Sequence, residues 1–392
     1  MPAACAPRYV RIVSLKYLSK KKEEEGFIIV KMHRKGRTVM ERKFMKGNEA
    51  IAEAAVRAGC RFYAGYPITP QSEVPEYLSR ALPKAGGIFV QGESEVASIN
   101  MVYGAGAGGT LAMTSTSGPG ISLMAEGISS LAAARAPSVI VDIMRAGPGT
   151  GVMKPAQSDY FQINRASGHG GYQTINYAPA TIQEAVDLVT KAFQVTQKYR
   201  MPVFVFADSL VGGLMEAVTL PEPQEPPKTP EWAVIGKGYH GGKPNIVLNA
   251  SFVEEQQMKK AQEWAGIYEG WTRDEVMAEE YMTEDADFVL TAYGSCGRIC
   301  HTCVDELREA GYKAGLVRPI TTNPFPAEAF RKLIGKVRFI LDVEMAIPAL
   351  MAEDVRLAVG DHLPIHTCLT TGGVIVDSDE VVKCAIRLAK GE

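Results

Sequence analysis

Cysteine is scarce in this chain, seven residues in 392. An odd, scattered set excludes the disulfide framework of a small secreted protein and fits a reducing compartment. No apolar run reaches the roughly 18–20 residues of a membrane span. No apolar h-region with a small-residue cleavage site opens the chain, so a cytoplasmic location is expected. The net charge is only −2, and no half of the chain is a long basic face. Nucleic acid is therefore not expected as a partner, nor is a membrane. The sequence has no Walker A stretch, no H-E-x-x-H and no G-x-S-x-G, which removes the nucleotide-triphosphatase, zinc-protease and α/β-hydrolase readings.

What is present is an ordinary globular composition, 46% apolar, in a chain long enough for two or three domains. Residues 1–45 carry the run KKKEEE and a basic stretch from Lys31 to Lys43 without a sustained period. They are read as a leader, disordered or a gene-model extension, with a natural start near Met40. From 46 to 215 helical and strand patterns alternate: a helix from Gly47, strands at Cys60–Gly65, Gly87–Gln91, Thr110–Ser117, Ser138–Met144 and Met201–Ala207. That alternation predicts a doubly wound, mostly parallel α/β sheet. Residues 216–285 read as a Pro-rich and then charged connector that holds all three tryptophans, so part of it is expected to pack. A second α/β unit is expected over 286–392.

Ligands in such sheets lie beyond the carboxyl ends of the strands. That rule selects YPITP, QGESE, TSTSGPG and MRAGPGTG. The prolines of Tyr66-Pro67-Ile68-Thr69-Pro70 fix backbone angles and remove donors, so Thr69 is held in a defined place, as it would be in any stiff turn. Glu93 and Glu95 fall where a strand gives way to a helix. An acid in a first turn is favoured by the helix dipole; a carboxyl in an apolar pocket can instead hydrogen-bond a cofactor ring nitrogen. Ser117-Gly118-Pro119-Gly120 opens a helix, either as an N-cap by Ser117 or as an anion site. Arg145 ends an apolar strand beside glycines, which suits a carboxylate ligand or a surface ion pair. His169, in SGHGGY, is a candidate polar group, although a lone histidine is more often structural. Gly104 to Gly109 spells G-x-G-x-x-G literally, but it follows a helix and precedes a strand, the reverse of the dinucleotide fingerprint. Cys296, Cys300 and Cys303 are close enough in sequence to suggest metal or iron–sulfur ligation, yet their segment reads as strand, turn and helix with cysteines as small apolar residues.

Together GNEAIAEAAVRAGCRFYAGYPITPQSE, ESEVASINMVYGAGAGG, TSTSGPGISLMAEGIS and MRAGPGTGVMKPAQSDYFQ resemble the α subunits of the 2-oxoacid:ferredoxin oxidoreductase family. GLVRPITTNPFP and VEMAIPALM extend the resemblance into the second unit, and the leader lies outside it. YPITPQSEVPEY and ESEVASINMVYG resemble the branched-chain (2-oxoisovalerate) branch, while the 2-oxoglutarate branch more often has an acidic pair in place of Glu93-Ser94. The resemblance implies a thiamine-enzyme pyrimidine-binding domain followed by a transketolase C-terminal-like α/β domain. It also implies a reaction in which a 2-oxoacid, CoA and oxidised ferredoxin give an acyl-CoA, CO2 and reduced ferredoxin. By the same resemblance Glu95 bonds the aminopyrimidine N1′ and promotes ylid formation, and Thr69, with Pro67 and Ile68 beside it, touches the cofactor. Arg145 holds the substrate carboxylate.

The family's Gly-Asp-Gly motif followed by Asn, which binds diphosphate and Mg2+, is missing from this sequence, as is its cysteine run for iron–sulfur clusters. The resemblance therefore implies a β-type partner for the thiamine diphosphate and Mg2+, a ferredoxin-like subunit for [4Fe-4S] clusters, a γ-type subunit, and ferredoxin. No metal ligand is expected on this chain. Three rivals stand beside this reading. One is a pyruvate- or 2-oxoglutarate-specific member; an extra carboxylate would want another cation, with Lys154 the nearest candidate. The second is a catalytically silent assembly subunit, against which intact Thr69, Glu95 and Arg145 count. The third is an NAD oxidoreductase, disfavoured because no G-x-G-x-x-G follows a strand.

Overall fold

The computed structural model describes residues 42–165, 168–237 and 241–392. The first unit begins with β1 (Arg42–Lys46), α1 (Gly47–Arg57), β2 (Phe62–Gly65), α2 (Glu73–Lys84), β3 (Ile88–Gln91), α3 (Glu95–Ala107), β4 (Ala112–Thr116), α4 (Pro119–Ala134) and β5 (Ser138–Met144). After a long loop come α5 (Tyr160–Asn164), β6 (Ile175–Tyr177), α6 (Ile182–Tyr199), β7 (Pro202–Asp208), α7 (Ser209–Gly213) and β8 (Met215–Thr219). The second part holds α8 (Glu254–Asp274), β9 (Ala278–Tyr281), β10 (Phe288–Thr291), α9 (Gly294–Glu309), β11 (Ala314–Pro319), β12 (Thr321–Asn323), α10 (Ala327–Arg331), β13 (Ile340–Glu344), α11 (Met351–Val359), β14 (Ile365–Leu369) and α12 (Ser378–Lys390).

The first sheet has seven strands in the order β12-β6-β7-β5-β4-β2-β3, and every pairing in it is parallel except that of β12. All seven residues of β5 and all seven of β7 are buried, as expected for central strands covered by helices on both faces. The second sheet runs β14-β13-β10-β11-β9, with only β9 antiparallel. An α/β architecture with two mostly parallel sheets is therefore established. Among the described residues no helix is long and apolar enough to cross a membrane.

Several details differ from the sequence reading. The leader reading falls outside the described residues up to residue 41, but Arg42–Met45 belong to β1, which pairs antiparallel with β8. A five-residue edge strand has no periodicity long enough to reveal it. The connector contains α8, whose Trp264 and Trp271 are buried, and β9, which joins the second sheet ahead of position 286. Strand β12 leaves the second unit to pair with β6, Thr321 opposite Tyr177. The two sheets are thus laced together, and the lacing continues through side chains. Gln157 donates from Nε2 to Tyr293 O at 2.9 Å and accepts at Oε1 from Met345 N at 2.8 Å. Asp208 accepts from Ser295 N at 3.1 Å.

Cys296, Cys300 and Cys303 lie on α9 and pack in the core of the second sheet with Phe288, Leu290 and Leu341. Burial pushes the Cys303 thiol up to about 12 and holds those of Cys296 and Cys300 well above the usual thiol range. They behave as small apolar residues, and no group of three His, Cys, Asp or Glu residues suited to a metal ion occurs among the described residues.

Candidate active site

The geometry of the first sheet fixes where a ligand can sit. The chain proceeds from β2 to β3 on one side, then crosses back over β2 to β4 and β5 on the other. Strand order therefore reverses between β2 and β4, and a crevice opens there beyond the carboxyl ends. The four segments at that edge are the loop after β2 with Thr69, the start of α3 with Glu95, the turn from β4 into α4, and the end of β5 with Arg145.

The loop after β2 is pinned from below. Ser115 Oγ donates to Gln71 Oε1 at 2.6 Å, Gln71 Nε2 donates to Tyr66 O at 3.2 Å, and Asn48 Nδ2 donates to Pro70 O at 2.8 Å. Pro67 and Thr69 remain exposed and Ile68 is half-buried. A rigid loop thus presents Thr69 outward while its carbonyl accepts from Arg145 Nη1 at 2.9 Å. Arg145 itself is buried, and its Nε has no hydrogen-bond partner among the described residues.

Glu95 and Glu93 separate cleanly. Glu93 is exposed, whereas Glu95 is the first residue of α3 and only 4% exposed. Ser94 caps the helix by accepting from Ala97 N at 3.2 Å, so the carboxyl of Glu95 is not needed for capping. It makes no hydrogen bond to any described residue and lies against the first turn of α4. A β-carbon added at Gly120 would sit 1.8 Å from Thr116 Oγ1 and 2.9 Å from Glu95 Oε1. Gly120→Ala is accordingly expected to cost about 1–3 kcal/mol of stability through overpacking. Urea unfolding checks this, and an unchanged midpoint would refute the close fit.

The turn from β4 differs from its simplest reading. The N-cap of α4 is Gly118 at φ 31°, not Ser117, and no side chain caps the helix. Ser117 Oγ and Thr116 Oγ1, just ahead of that glycine, are buried without partners among the described residues. These orphaned oxygens, the free Glu95 carboxyl and the glycine-lined turn together fit a planar polar ring with donors and acceptors on its edge. The residues present thus fit the pyrimidine half of thiamine diphosphate. None of the four segments supplies an acidic cluster for a diphosphate-bound metal ion.

Beyond Arg145 lies a cleft of about 950 Å³, walled by the turn into α4, the 146–150 loop, α5 and residues 346–350 of the second unit. Arg145 is the only cation among its described lining residues. Lys154 is exposed outside it, packed on Gly373. His169 is also exposed, and its carbonyl accepts from Ser129 Oγ at 2.6 Å. Ser129 is ten residues along α4 from Pro119, about 15 Å from the turn, so His169 is not brought to the site. The literal G-x-G-x-x-G closes α3, and Gly106 approaches Pro137 O so closely that an added β-carbon would lie 2.5 Å from it.

Two site residues escaped the sequence reading. Asp142 is fully buried in β5 and Asp159 is 4% exposed ahead of α5. Burial raises both carboxyls: Asp159 is pushed up to about 6, and Asp142, which also feels the charge of Asp159, goes well above the usual range. The signal was an acid inside SVIVDIM, a strand otherwise without charge.

Known proteins resemble this chain over both of its units. Residues 53–261 match the family described as pyruvate flavodoxin/ferredoxin oxidoreductase, thiamine diphosphate-binding, and residues 286–381 match pyruvate:ferredoxin oxidoreductase core domain II. The ketoisovalerate oxidoreductase subunit VorB of Methanothermobacter marburgensis is 43% identical, covering 90% of this chain and 99% of that protein. The 2-oxoglutarate synthase subunit KorA of Methanocaldococcus jannaschii is 40% identical over 76% of this chain and 87% of its own. Among solved structures, a 2-oxoglutarate:ferredoxin oxidoreductase from Magnetococcus marinus superposes with a TM-score of 0.77 at 23% identity, covering 88% of this chain and 65% of that one, a likeness of fold.

Proposed function

Since this chain belongs to the α-subunit family of the 2-oxoacid:ferredoxin oxidoreductases and is one subunit of such a complex, we propose that it supplies the pyrimidine half of a shared thiamine diphosphate site and the anchor for a branched-chain 2-oxoacid. The observation that carries the reading is the buried, unpaired carboxyl of Glu95 at the strand-order reversal, beside the Thr69–Arg145 contact.

When bound, thiamine diphosphate supplies the nucleophilic carbon and the electron sink for decarboxylation. The protein's part is to bind, orient and move protons. Glu95 would hydrogen-bond the aminopyrimidine N1′ and exchange a proton with it, from a position largely screened from water. Pro67, Ile68 and Thr69 would form the stiff edge that holds the ring. Arg145, whose Nη1 is occupied by Thr69 O, lines the cleft and would turn the remaining edge of its guanidinium toward a carboxylate. The residues around the cleft support a branched apolar tail. Leu123, Phe161, Pro148, Ile347 and Leu350 line it, and no second cation does. The additional carboxylate of 2-oxoglutarate would find no second cation there among the described residues.

The remaining parts come from partners in this reading: a β-type subunit with the diphosphate and Mg2+, a ferredoxin-like subunit with [4Fe-4S] clusters, and a γ-type subunit, with CoA as co-substrate and ferredoxin as electron acceptor. The site is cytoplasmic. The test is anaerobic reduction of a viologen dye by this chain co-expressed with those subunits, with CoA and a panel of 2-oxoacids. 2-Oxoisovalerate is expected to exceed 2-oxoglutarate in kcat/KM by at least about tenfold. A reversed order overturns the substrate class, and an assembled complex that accepts no 2-oxoacid makes this an assembly subunit.

A further inference from the structure

We infer that Asp142 and Asp159 form a carboxyl pair that acts through Arg145 as a positioning device, setting how much positive charge the cleft offers to the substrate carboxylate. This rests on the reading of Arg145 as the substrate anchor.

The geometry is specific. Asp142 precedes Arg145 by three residues on β5, and Asp159 closes over the site from the far end of the 146–158 loop. Both approach Gly118. A β-carbon there would lie 3.5 Å from each oxygen of Asp159 and 3.8 Å from Arg145 Cγ. One oxygen of Asp159 is satisfied: Gln162 Nε2 donates to Oδ1 at 2.8 Å and to Gly118 O at 3.2 Å. Gln162 is itself held by Ser122 Oγ at 2.9 Å. The other three carboxyl oxygens, both of Asp142 and Oδ2 of Asp159, have no well-formed hydrogen bond among the described residues. Buried oxygens without donors are costly. A single proton shared between the two carboxyls resolves the conflict, as in other close carboxyl pairs.

The surroundings agree with that arrangement. Burial is the largest influence on both acids and favours the protonated form. The Gly118 N–H and the Arg145 guanidinium face both carboxyls and oppose it. From the second unit the Tyr293 hydroxyl, itself pushed up by burial, feels the charge of Asp159. Glu95 lies on the other side of the turn, against Gly120.

The consequence is a charge that changes with pH. Burial and the charge of Asp159 hold the Asp142 carboxyl well above its usual range. Above about 6 Asp159 is ionised and offsets part of the Arg145 charge; below that the pair is neutral and Arg145 faces the cleft as a full cation. A 2-oxoacid stays ionised across this range, so its KM should fall as pH falls through about 6.

The experiment uses the assembled complex and whichever 2-oxoacid it turns over best, with KM and kcat measured between pH 5.5 and 7.5. Asp159→Asn keeps the Gln162 contact and the volume but removes the charge. At pH 7.5 its KM is expected about threefold to tenfold below wild type, converging on wild type at pH 5.5. Asp159→Glu restores the pH dependence. A merely structural role would change KM by the same factor at every pH. A constant Asp159→Asn to wild-type ratio therefore overturns the inference. Arg145→Gln separates the two readings. If it leaves KM unchanged, the anchor reading falls and this inference with it. If it raises KM while the Asp159→Asn ratio stays constant, only the carboxyl pair falls.

Discussion

Glu95→Gln is expected to assemble with its partner subunits, unfold at the wild-type midpoint, and turn over at least about a hundredfold more slowly in the dye assay. The two halves of this expectation have separate physical origins. Stability should hold because the Glu95 side chain makes no hydrogen bond to a described residue, and the helix is capped by Ser94 rather than by the carboxyl. An amide of the same shape fits the same space beside Gly120. Turnover should collapse because an amide cannot exchange a proton with a ring nitrogen, and proton transfer by a positioned acid is worth about two to four powers of ten. Full activity in Glu95→Gln would remove Glu95 from the chemistry. A loss of activity matched by a loss of assembly would instead mark it as structural.

Much of this site could be read before folding, because strand-end loops in α/β sheets concentrate near the reversal of strand order and those loops have distinctive sequences. Thr69, Glu95 and Arg145 all lie in segments that alternate clearly between strand and helix. What escaped was non-local. Asp159 reaches the site across a loop whose path no periodicity specifies, and its partner Asp142 hides in an apolar strand. The same holds for the fold. Central β5 and β7 announce themselves as continuous apolar runs, whereas β12 is three residues long and pairs with a strand nearly 150 positions earlier. Short strands at sheet edges carry little local signal, and their existence depends on contacts that only the folded chain provides. The resemblance singled out Glu95, but its burial and the exposure of Glu93 depend on where α3 starts, to within one residue.

That dependence on long-range contacts gives the second large effect. Arg318 on β11 is buried between the two units and donates to Glu184 of α6 through Nη1 and Nη2, both at 2.9 Å, and to Glu279 of β9 through Nε at 2.6 Å. Arg318→Ala would leave two partly exposed acids without their shared cation, a loss expected to destabilise the chain by about 1–3 kcal/mol. Arg318→Lys should recover only part, since one ammonium cannot reproduce a bidentate fork and a third bond together. The pH dependence follows with a definite sign. Burial raises the Glu279 carboxyl, but hydrogen bonds from His301 and Arg318 outweigh it and hold the pKa below its usual value. A depressed carboxyl contributes stability above its unfolded pKa and loses it as pH falls through the folded value. Wild type should therefore lose more stability than Arg318→Ala when urea unfolding is compared at pH 7 and at acid pH below about 4. Parallel losses would show that the network's charge is already offset by solvent and His301, leaving β12 and the Gln157 bridges to hold the units together.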